Sequence, residues 1–242
     1  MRKLLFLIFT LLLSVDYAIA GRDFDGTDDR VRFTSVAAIE VDTLTACVWA
    51  YADANDAILA IHREDVADFS NTGWNLYINT SDFARWGIDA GGSSELITGT
   101  VDVVNAAWHH ICGTYDGTNA MELFVDGVSD GTLTHSVGGT VDYGTTNVRL
   151  DLGYYTGQAP SFQLDGRLAE FAFWSVVLSD DEIAALAGGT TANHIRAPSL
   201  LVYYPLHGLS STEADLAGEA RNGTVTGAIV GDHSPTGPYV RR

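Results

Sequence analysis

Lysine is almost absent from this chain of 242 residues, because Lys3 is its only lysine and the other basic side chains are arginines. A Schiff base with a carbonyl substrate is therefore excluded for the rest of the chain. Acidic residues dominate, with 31 Asp and Glu against 13 Lys and Arg, and the formal net charge is −18 at pH 7. Because so acidic a surface repels phosphate backbones and anionic lipids, we expect no nucleic acid and no membrane as partner.

Cysteine is equally scarce, since Cys47 and Cys112 are the only two in the sequence. No C-x-x-C motif is present, which argues against a redox dithiol and against a thiolate zinc site. In an oxidising compartment the two cysteines could form one disulfide, which would close a loop of about 65 residues. They could equally be buried thiols that act as small apolar core residues. The sequence leaves both open, because it does not show whether the two strands are neighbours.

Long apolar runs are lacking after residue 20. Before it, Arg2 and Lys3 precede an apolar run over residues 4–15, and residues 18–20 are Ala-Ile-Ala, small residues that a signal peptidase recognises. We predict a signal peptide over residues 1–20 and a secreted, extracellular mature chain, because the run is shorter than the roughly 20 residues that span a bilayer. Its removal takes away two basic and one acidic side chain, so the mature net charge becomes −19.

Turn signals are abundant, with Asp-Gly five times and Gly-Gly three times between short runs rich in Val, Ile, Leu, Thr and aromatic residues. This pattern is typical of an all-β sandwich. Trp74, Leu76 and Ile78 alternate with residues that are suited to face solvent. This alternation indicates a strand with one buried face. The predicted strands are 31–34, 44–51, 57–62, 73–79, 83–89, 95–103, 108–115, 121–126, 147–153, 163–175 and 200–206.

One short α-helix is predicted near the C-terminal third of the chain. Ser179 is suited to cap its first turn, Glu182 stands at the reciprocal capping-box position, and Gly188 follows its end. Residues 200–206 beyond it resemble another core strand, and no linker composition separates them from the rest. We therefore predict a single domain over residues 21–242.

Several blocks together resemble the laminin G-like jelly-roll domains of the concanavalin A-like lectin and glucanase superfamily, over about residues 24–187. The resemblance implies an all-β fold of two curved antiparallel sheets packed face to face. Residues 201–206, followed by 215–218 and 221–224, are similar to a strand and loop that often come first in such domains, so the strand order at the C-terminal edge stays open. The blocks that carry the resemblance are residues 24–26, 44–49, 108–117, 123–127 and 166–171.

Glucanases of this superfamily carry a Glu-x-Asp-x-x-Glu or Glu-x-Asp-x-Glu run on one strand, which places the nucleophile and the acid on the same side of the cleft. Glu40 and Asp42 begin such a run, but the second Glu is missing. Glu213, Asp215 and Glu219 do not have the spacing. The sequence therefore predicts that the protein is not an enzyme.

An acidic turn at the start of the mature chain is a candidate calcium site. Hard oxygen ligands on a flexible loop are what Ca²⁺ selects, and members of the family that the chain resembles sometimes hold calcium near such a turn. The alternative is a solvated acidic turn in a chain that is acidic everywhere. The candidate ligands are Asp23, Asp25, Asp28, Asp29 and, more distantly, Glu170.

Glycan recognition needs exposed aromatic rings and a few fixed polar groups. Tyr77 and Arg85 are predicted to share the solvent-facing side of one sheet, and Tyr154 and Tyr155 stand at a strand end. These four are the candidate ligand-binding residues. The five tryptophans fall at positions that the alternation or the resemblance assigns to the core or to strand ends.

The function expected from the residues and the resemblance is a secreted, non-catalytic binding domain for carbohydrate or a glycosylated surface. The alternative is a structural subunit of a virion, filament or cell surface that contacts other copies of itself. A glycoside hydrolase is the third hypothesis, and it would require two carboxylates about 5 to 10 Å apart in one groove.

Overall fold

The structure, a computed structural model, describes residues 21–64, 72–155, 162–208 and 210–232. The predicted signal peptide lies outside the described residues. The strands are β1 (Gly21–Asp25), β2 (Arg30–Phe33), β3 (Thr43–Ala52), β4 (Ala57–Arg63), β5 (Trp74–Ile78), β6 (Phe83–Ala90), β7 (Ser93–Asp102), β8 (His109–Asp116), β9 (Ala120–Val125), β10 (Val128–Thr134), β11 (Arg149–Leu152), β12 (Asp165–Trp174), β13 (Leu200–Tyr204), β14 (Thr212–Glu213), β15 (Gly223–Thr226) and β16 (Ile229–Gly231).

Two antiparallel sheets form a sandwich, which confirms the predicted fold class. Sheet A has the order β10-β9-β8-β3-β12-β1-β16, with β13 also paired to β12, and sheet B has the order β14-β15-β2-β11-β4-β5-β6-β7. All eleven predicted strands are present within a few residues of their predicted ends. Strands β1, β10, β14, β15 and β16 were not predicted.

The core lies between the sheets and is rich in aromatic rings. Trp74 and Trp86 of sheet B and Phe173 of sheet A are fully buried, and the Trp74 and Phe173 rings stack with centroids 5.3 Å apart. Gly113 of β8 leaves room for the Trp86 ring, because a Cβ there would lie 2.1 Å from it. The Trp86 Nε1 donates to the Thr114 carbonyl at 3.0 Å, so one tryptophan joins both sheets.

The C-terminal strands belong to both layers, which resolves the strand order that the sequence left open. β13 pairs with β12, β15 with β2 and β16 with β1. The buried Arg22 side chain of β1 fixes this segment, since its Nε donates to Glu213 at 2.8 Å and its Nη1 to the Ala228 carbonyl at 3.2 Å. Glu213, rejected above as a catalytic residue for its spacing, is thus part of a buried ion pair.

The disulfide and the helix both appear in the structure. Cys47 and Cys112 are register partners on the neighbouring strands β3 and β8 and are joined by a disulfide. Helix α1 (Asp180–Ala187) begins after Ser179, and both hydrogen bonds of the capping box with Glu182 are formed. Of the two alternatives for the cysteines, the structure therefore favours the disulfide.

Candidate functional site

The solvent-facing side of sheet B carries a cavity of about 270 Å³, which we call the sheet B cavity. Its floor is built from a row of register partners on adjacent strands, in which Asn75 of β5 stands opposite Gly87 of β6 and Gly87 opposite Leu96 of β7. Side chains two residues apart on a strand share a face. The described residues that line the cavity are Arg63, Asn75, Tyr77, Gly87, Asp89, Ser94, Leu96 and Phe162.

Gly87 creates the room in which the Asn75 amide lies. A Cβ at position 87 would come within 2.8 Å of the Asn75 Oδ1 and 3.0 Å of its Nδ2. Any larger residue at this position would push the amide out of place. The small residue therefore sets the position of a polar group on the cavity floor.

Two hydrogen-bond acceptors in the cavity are buried and unused by the protein. Asn75 is 8 % exposed and Asp89 is 3 % exposed. Within the part of the chain that the structure describes, Asn75 Oδ1 and Asp89 Oδ1 have no hydrogen-bond partner. A buried acceptor without a donor costs on the order of 1–3 kcal/mol, so native proteins seldom keep two together without a reason.

Asp89 carries the electrostatic character of the cavity. Burial raises the pKa of its carboxyl group to about 6, while a hydrogen bond with Ser94 and the charge of Arg63 act in the opposite direction. Burial disfavours the charged form of a carboxyl group. Above this pKa the carboxylate is ionised and becomes a strong acceptor beside the Arg63 cation.

Tyr77 supplies an aromatic wall that its neighbours hold in place. The Arg85 Nη1 donates to the Tyr77 hydroxyl at 2.8 Å, and the Arg85 guanidinium lies 5.7 Å from the ring centroid. The half-buried Tyr77 and Phe162 also pack against the apolar cluster that contains Ile58 and Ile61. The predicted placement of Tyr77 and Arg85 on one face is observed, and their role in binding stays a prediction.

The predicted exposure of Tyr155 is wrong. Tyr155 is only 1 % exposed, because its ring covers Ile58 and Ile61 on the outer face of β4 and lies 5.3 Å from the Arg63 guanidinium. Tyr154 is half-buried beneath Arg30, whose guanidinium is 5.1 Å from its ring. Neither tyrosine is among the residues that line the sheet B cavity.

Of the described residues that line the cavity, the sequence predicted only Tyr77 as a ligand-binding residue. The sequence pattern nevertheless indicates several of the others. The alternation that placed Tyr77 and Arg85 on one face also places Asn75, Gly87 and Asp89 there. No comparable signal points to Phe162, which reaches the cavity from the segment before β12.

The acidic turn brings together three of its five predicted calcium ligands. Carboxylate oxygens of Asp25, Asp28 and Asp29 lie within 4.8 Å of one another, and burial raises the pKa of Asp29. Asp23 and Glu170 are not in this group, which corrects the predicted ligand set. Asp23 stands opposite Arg167 in register, and Glu170 accepts a hydrogen bond from the Tyr203 hydroxyl instead. Three carboxylates fit Ca²⁺ chemically but supply fewer than its usual 6–8 oxygen ligands.

A second cavity, of about 330 Å³, lies on the outer face of sheet A and serves as a contrast. Thr114, Glu122 and Thr132 are among its lining residues. Among the described residues, none of the side chains that line it has a buried polar atom without a partner. The sheet B cavity therefore differs from it in chemistry and not in size.

The two antiparallel sheets define an all-β sandwich of the jelly-roll class. The chain belongs to the concanavalin A-like lectin/glucanases superfamily, because a laminin G-like family model with this description matches residues 25–184. The resemblance seen in the sequence is thereby confirmed.

Two curated relatives are pentraxin-related proteins PTX3. The mouse protein is 27% identical over 174 residues, or 66% of this chain, and the cow protein is 27% identical over 171 residues. The chain spans 42% of the length of these curated relatives.

Three solved structures illustrate the shared fold. A putative carbohydrate binding protein from Bacteroides ovatus has a TM-score of 0.68 at 17% identity, covering 89% of this chain and 60% of that one. A heptameric SAP-like pentraxin from Limulus polyphemus has a TM-score of 0.61 at 17% identity, covering 92% and 99%. The CBM40 of a Ruminococcus gnavus IT-sialidase, bound to α2,3 sialyllactose, has a TM-score of 0.56 at 16% identity, covering 71% and 100%. At this identity the likeness establishes the fold alone. Within the described ranges, no helix has the length and apolar character to cross a membrane.

Proposed function

We propose that this protein is a secreted, non-catalytic domain that recognises carbohydrate in the sheet B cavity. The observation that carries the proposal is the pair of buried, unused acceptors, Asn75 Oδ1 and Asp89 Oδ1, beside the Tyr77 ring. Sugars present hydroxyl donors on their edges and C–H groups on their faces. Fixed acceptors next to an aromatic wall are suited to bind both.

The comparisons support a binding function of this kind. The Bacteroides ovatus structure is described as a putative carbohydrate binding protein, and the Ruminococcus gnavus module holds a sialyllactose. Both have the two-sheet architecture on which the sheet B cavity is built. We extend carbohydrate recognition from these proteins to the present chain on the strength of its own cavity.

The composition of the cavity argues for binding and against hydrolysis. Glycoside hydrolysis uses two carboxyl groups, roughly 5 to 10 Å apart, on either side of the scissile bond. Asp89 is the one carboxylate among the described lining residues. A single carboxylate can accept hydroxyl hydrogens but lacks the partner that an acid and base or nucleophile pair requires.

Secretion and calcium are further parts of the proposal. The predicted signal peptide agrees with the disulfide between Cys47 and Cys112, because disulfides persist in oxidising compartments. The Asp25, Asp28 and Asp29 carboxylates would hold a calcium ion at the turn between β1 and β2. This turn contributes none of the cavity residues, so calcium would stabilise the fold and leave sugar contacts to the cavity.

A glycan array probed with the mature chain tests the proposal. We expect binding to a subset of glycans with calcium and with chelator alike, and loss of this binding in Asn75→Ala. Glu122→Gln, at the contrasting cavity of sheet A, is the control and should bind like the wild type. Absence of any glycan signal, or an equal loss in both variants, would refute carbohydrate recognition at this cavity.

Self-association is a second candidate function, and one observation favours it. The edge strand β16 of sheet A exposes Ile229 by 66 % and Val230 by 50 %. Bare strand edges with apolar side chains invite pairing with another copy. Light scattering after gel filtration should report an oligomer that Ile229→Lys dissociates, and a monomeric wild type would refute this candidate.

A further inference from the structure

The sheet B cavity is closed on the side of β4, which restricts how a glycan can enter. Ile58 and Ile61 are on the outer face of β4, because they are register partners of Tyr77 and Asn75. Both are nevertheless buried, at 0 % and 2 % exposure, since Tyr155 packs over them and Phe162 packs against the same cluster. A sugar chain lying across β5 and β6 therefore cannot continue over β4.

The opposite side of the cavity is open. Leu96 of β7 is 44 % exposed, and β7 is the last strand of sheet B. The volume of about 270 Å³ is just below the roughly 300–1,000 Å³ of pockets for drug-sized ligands. Such a space accommodates one or two sugar rings, with the rest of a chain leaving over β7.

The charges that line the cavity are balanced. Among its described lining residues, Arg63 is the one cation and Asp89 the one anion. Arg85, on the same face, donates to the Tyr77 hydroxyl. Two charged or titratable groups outside the lining also act on the pKa of Asp89, which Asp142 raises and His135 lowers. An anionic sugar would face the buried Asp89 carboxylate, so the cavity lacks the excess positive charge that selects carboxylated or sulfated ligands.

The unused acceptors specify donors on the ligand. Asn75 faces Gly87 across the strand pair, and Asp89 follows two residues after Gly87 on the same face. Such diagonal neighbours are roughly 7–8 Å apart at the backbone, within reach of one ligand ring. Because both atoms are acceptors, the ligand must donate two hydrogen bonds, as two adjacent hydroxyl groups do.

From these observations we infer that the sheet B cavity binds the terminal residue of a neutral glycan, through adjacent hydroxyls that donate to Asn75 Oδ1 and Asp89 Oδ1. The inference rests on the proposed function and narrows it to end-on recognition. Phe162 stops the chain at one side, and the glycan leaves over Leu96 at the other.

Calorimetric titration of the mature chain tests the inference directly. The probes are the methyl glycosides of glucose, galactose, mannose and N-acetylglucosamine, the matching methyl hexuronides, and oligosaccharides of one to five residues that end in the best monosaccharide. We expect a neutral glycoside to bind, the hexuronide of the same ring to bind about tenfold more weakly, and affinity to stop rising beyond two residues.

Two substitutions separate a ligand contact from a structural role. Asn75→Ala and Asp89→Asn should each weaken binding by about tenfold or more, since each removes or weakens an acceptor. Neither should lower the temperature of unfolding, because Asn75→Ala removes an acceptor that the protein leaves unsatisfied and Asp89→Asn keeps a side chain of the same size without the charge whose burial is unfavourable. Glu122→Gln should change neither quantity.

The outcomes distinguish this inference from the proposed function. If no probe and no array glycan binds, both fail. If glycans bind but hexuronides bind as well as neutral sugars, or affinity rises steadily to five residues, carbohydrate recognition stands and the terminal, neutral specificity is overturned. If the two variants are less stable but bind glycans with unchanged affinity, the assignment of these acceptors as ligand contacts is also overturned.

Discussion

Asp89 should make the protein less stable as the pH rises, and Asp89→Asn should remove this effect. Burial raises the pKa of this carboxyl group from 3.8 to about 6 in the folded state. Between these values the native state holds a proton that the unfolded chain has released, so stability falls through this window. This change in pKa corresponds to about 3 kcal/mol of stability that is lost once the pH exceeds 6.

Urea unfolding of both proteins between pH 4 and 8 measures this difference. The free energy of unfolding of Asp89→Asn, minus that of the wild type, should rise by about 3 kcal/mol from the acidic to the neutral end. The altered contact with Arg63 adds an offset that does not depend on pH, and Asp142 and His135 are present in both proteins. If the difference stays constant within about 0.5 kcal/mol, or falls with pH, burial does not raise the pKa of the Asp89 carboxyl group as inferred here.

Three further predictions concern the scaffold. Arg22→Met should destabilise the fold by about 3–5 kcal/mol in urea, because it leaves the Glu213 carboxylate buried without its partner; a loss under about 1 kcal/mol would contradict this. Replacing Cys47 and Cys112 by alanine should cost about 4 kcal/mol, as expected for opening a 65-residue loop, and an unchanged melting temperature would argue against the disulfide. Calcium should raise the melting temperature of the wild type and not that of Asp29→Asn, whereas equal shifts would exclude this turn as the site.

Local patterns explain why most of the fold was predictable. The alternation around Trp74 and the turn dipeptides define strands and their inner faces without any tertiary information. The capping box at Ser179 is equally local, and it forms as predicted. The missed strands β1 and β10 carry weaker patterns, with Asp-Gly pairs that read as turns, and they become strands only through pairing with β12 and β9.

The site was less predictable, because it depends on which elements meet. The disulfide requires β3 and β8 to be neighbours in exact register, which no local pattern contains. The position of Tyr155 at a strand end predicts an exposed ring, but the ring packs against Ile58 and Ile61. The alternation that revealed Tyr77 extends to Asn75 and Asp89, but only the closed geometry shows that their oxygens are buried without donors.

The neighbouring positions of β1 and β16 have a consequence for biosynthesis. Arg22 of the first strand hydrogen-bonds the carbonyl of Ala228, 206 positions later, and β1 receives its outer partner only from β16. While the ribosome is still adding the middle of the polypeptide, that edge has nothing to pair with. Such long-range pairing slows folding and leaves partly folded intermediates that are prone to aggregation. We expect cells that make this protein to depend on holding chaperones until β16 (Ile229–Gly231) is available to pair with β1.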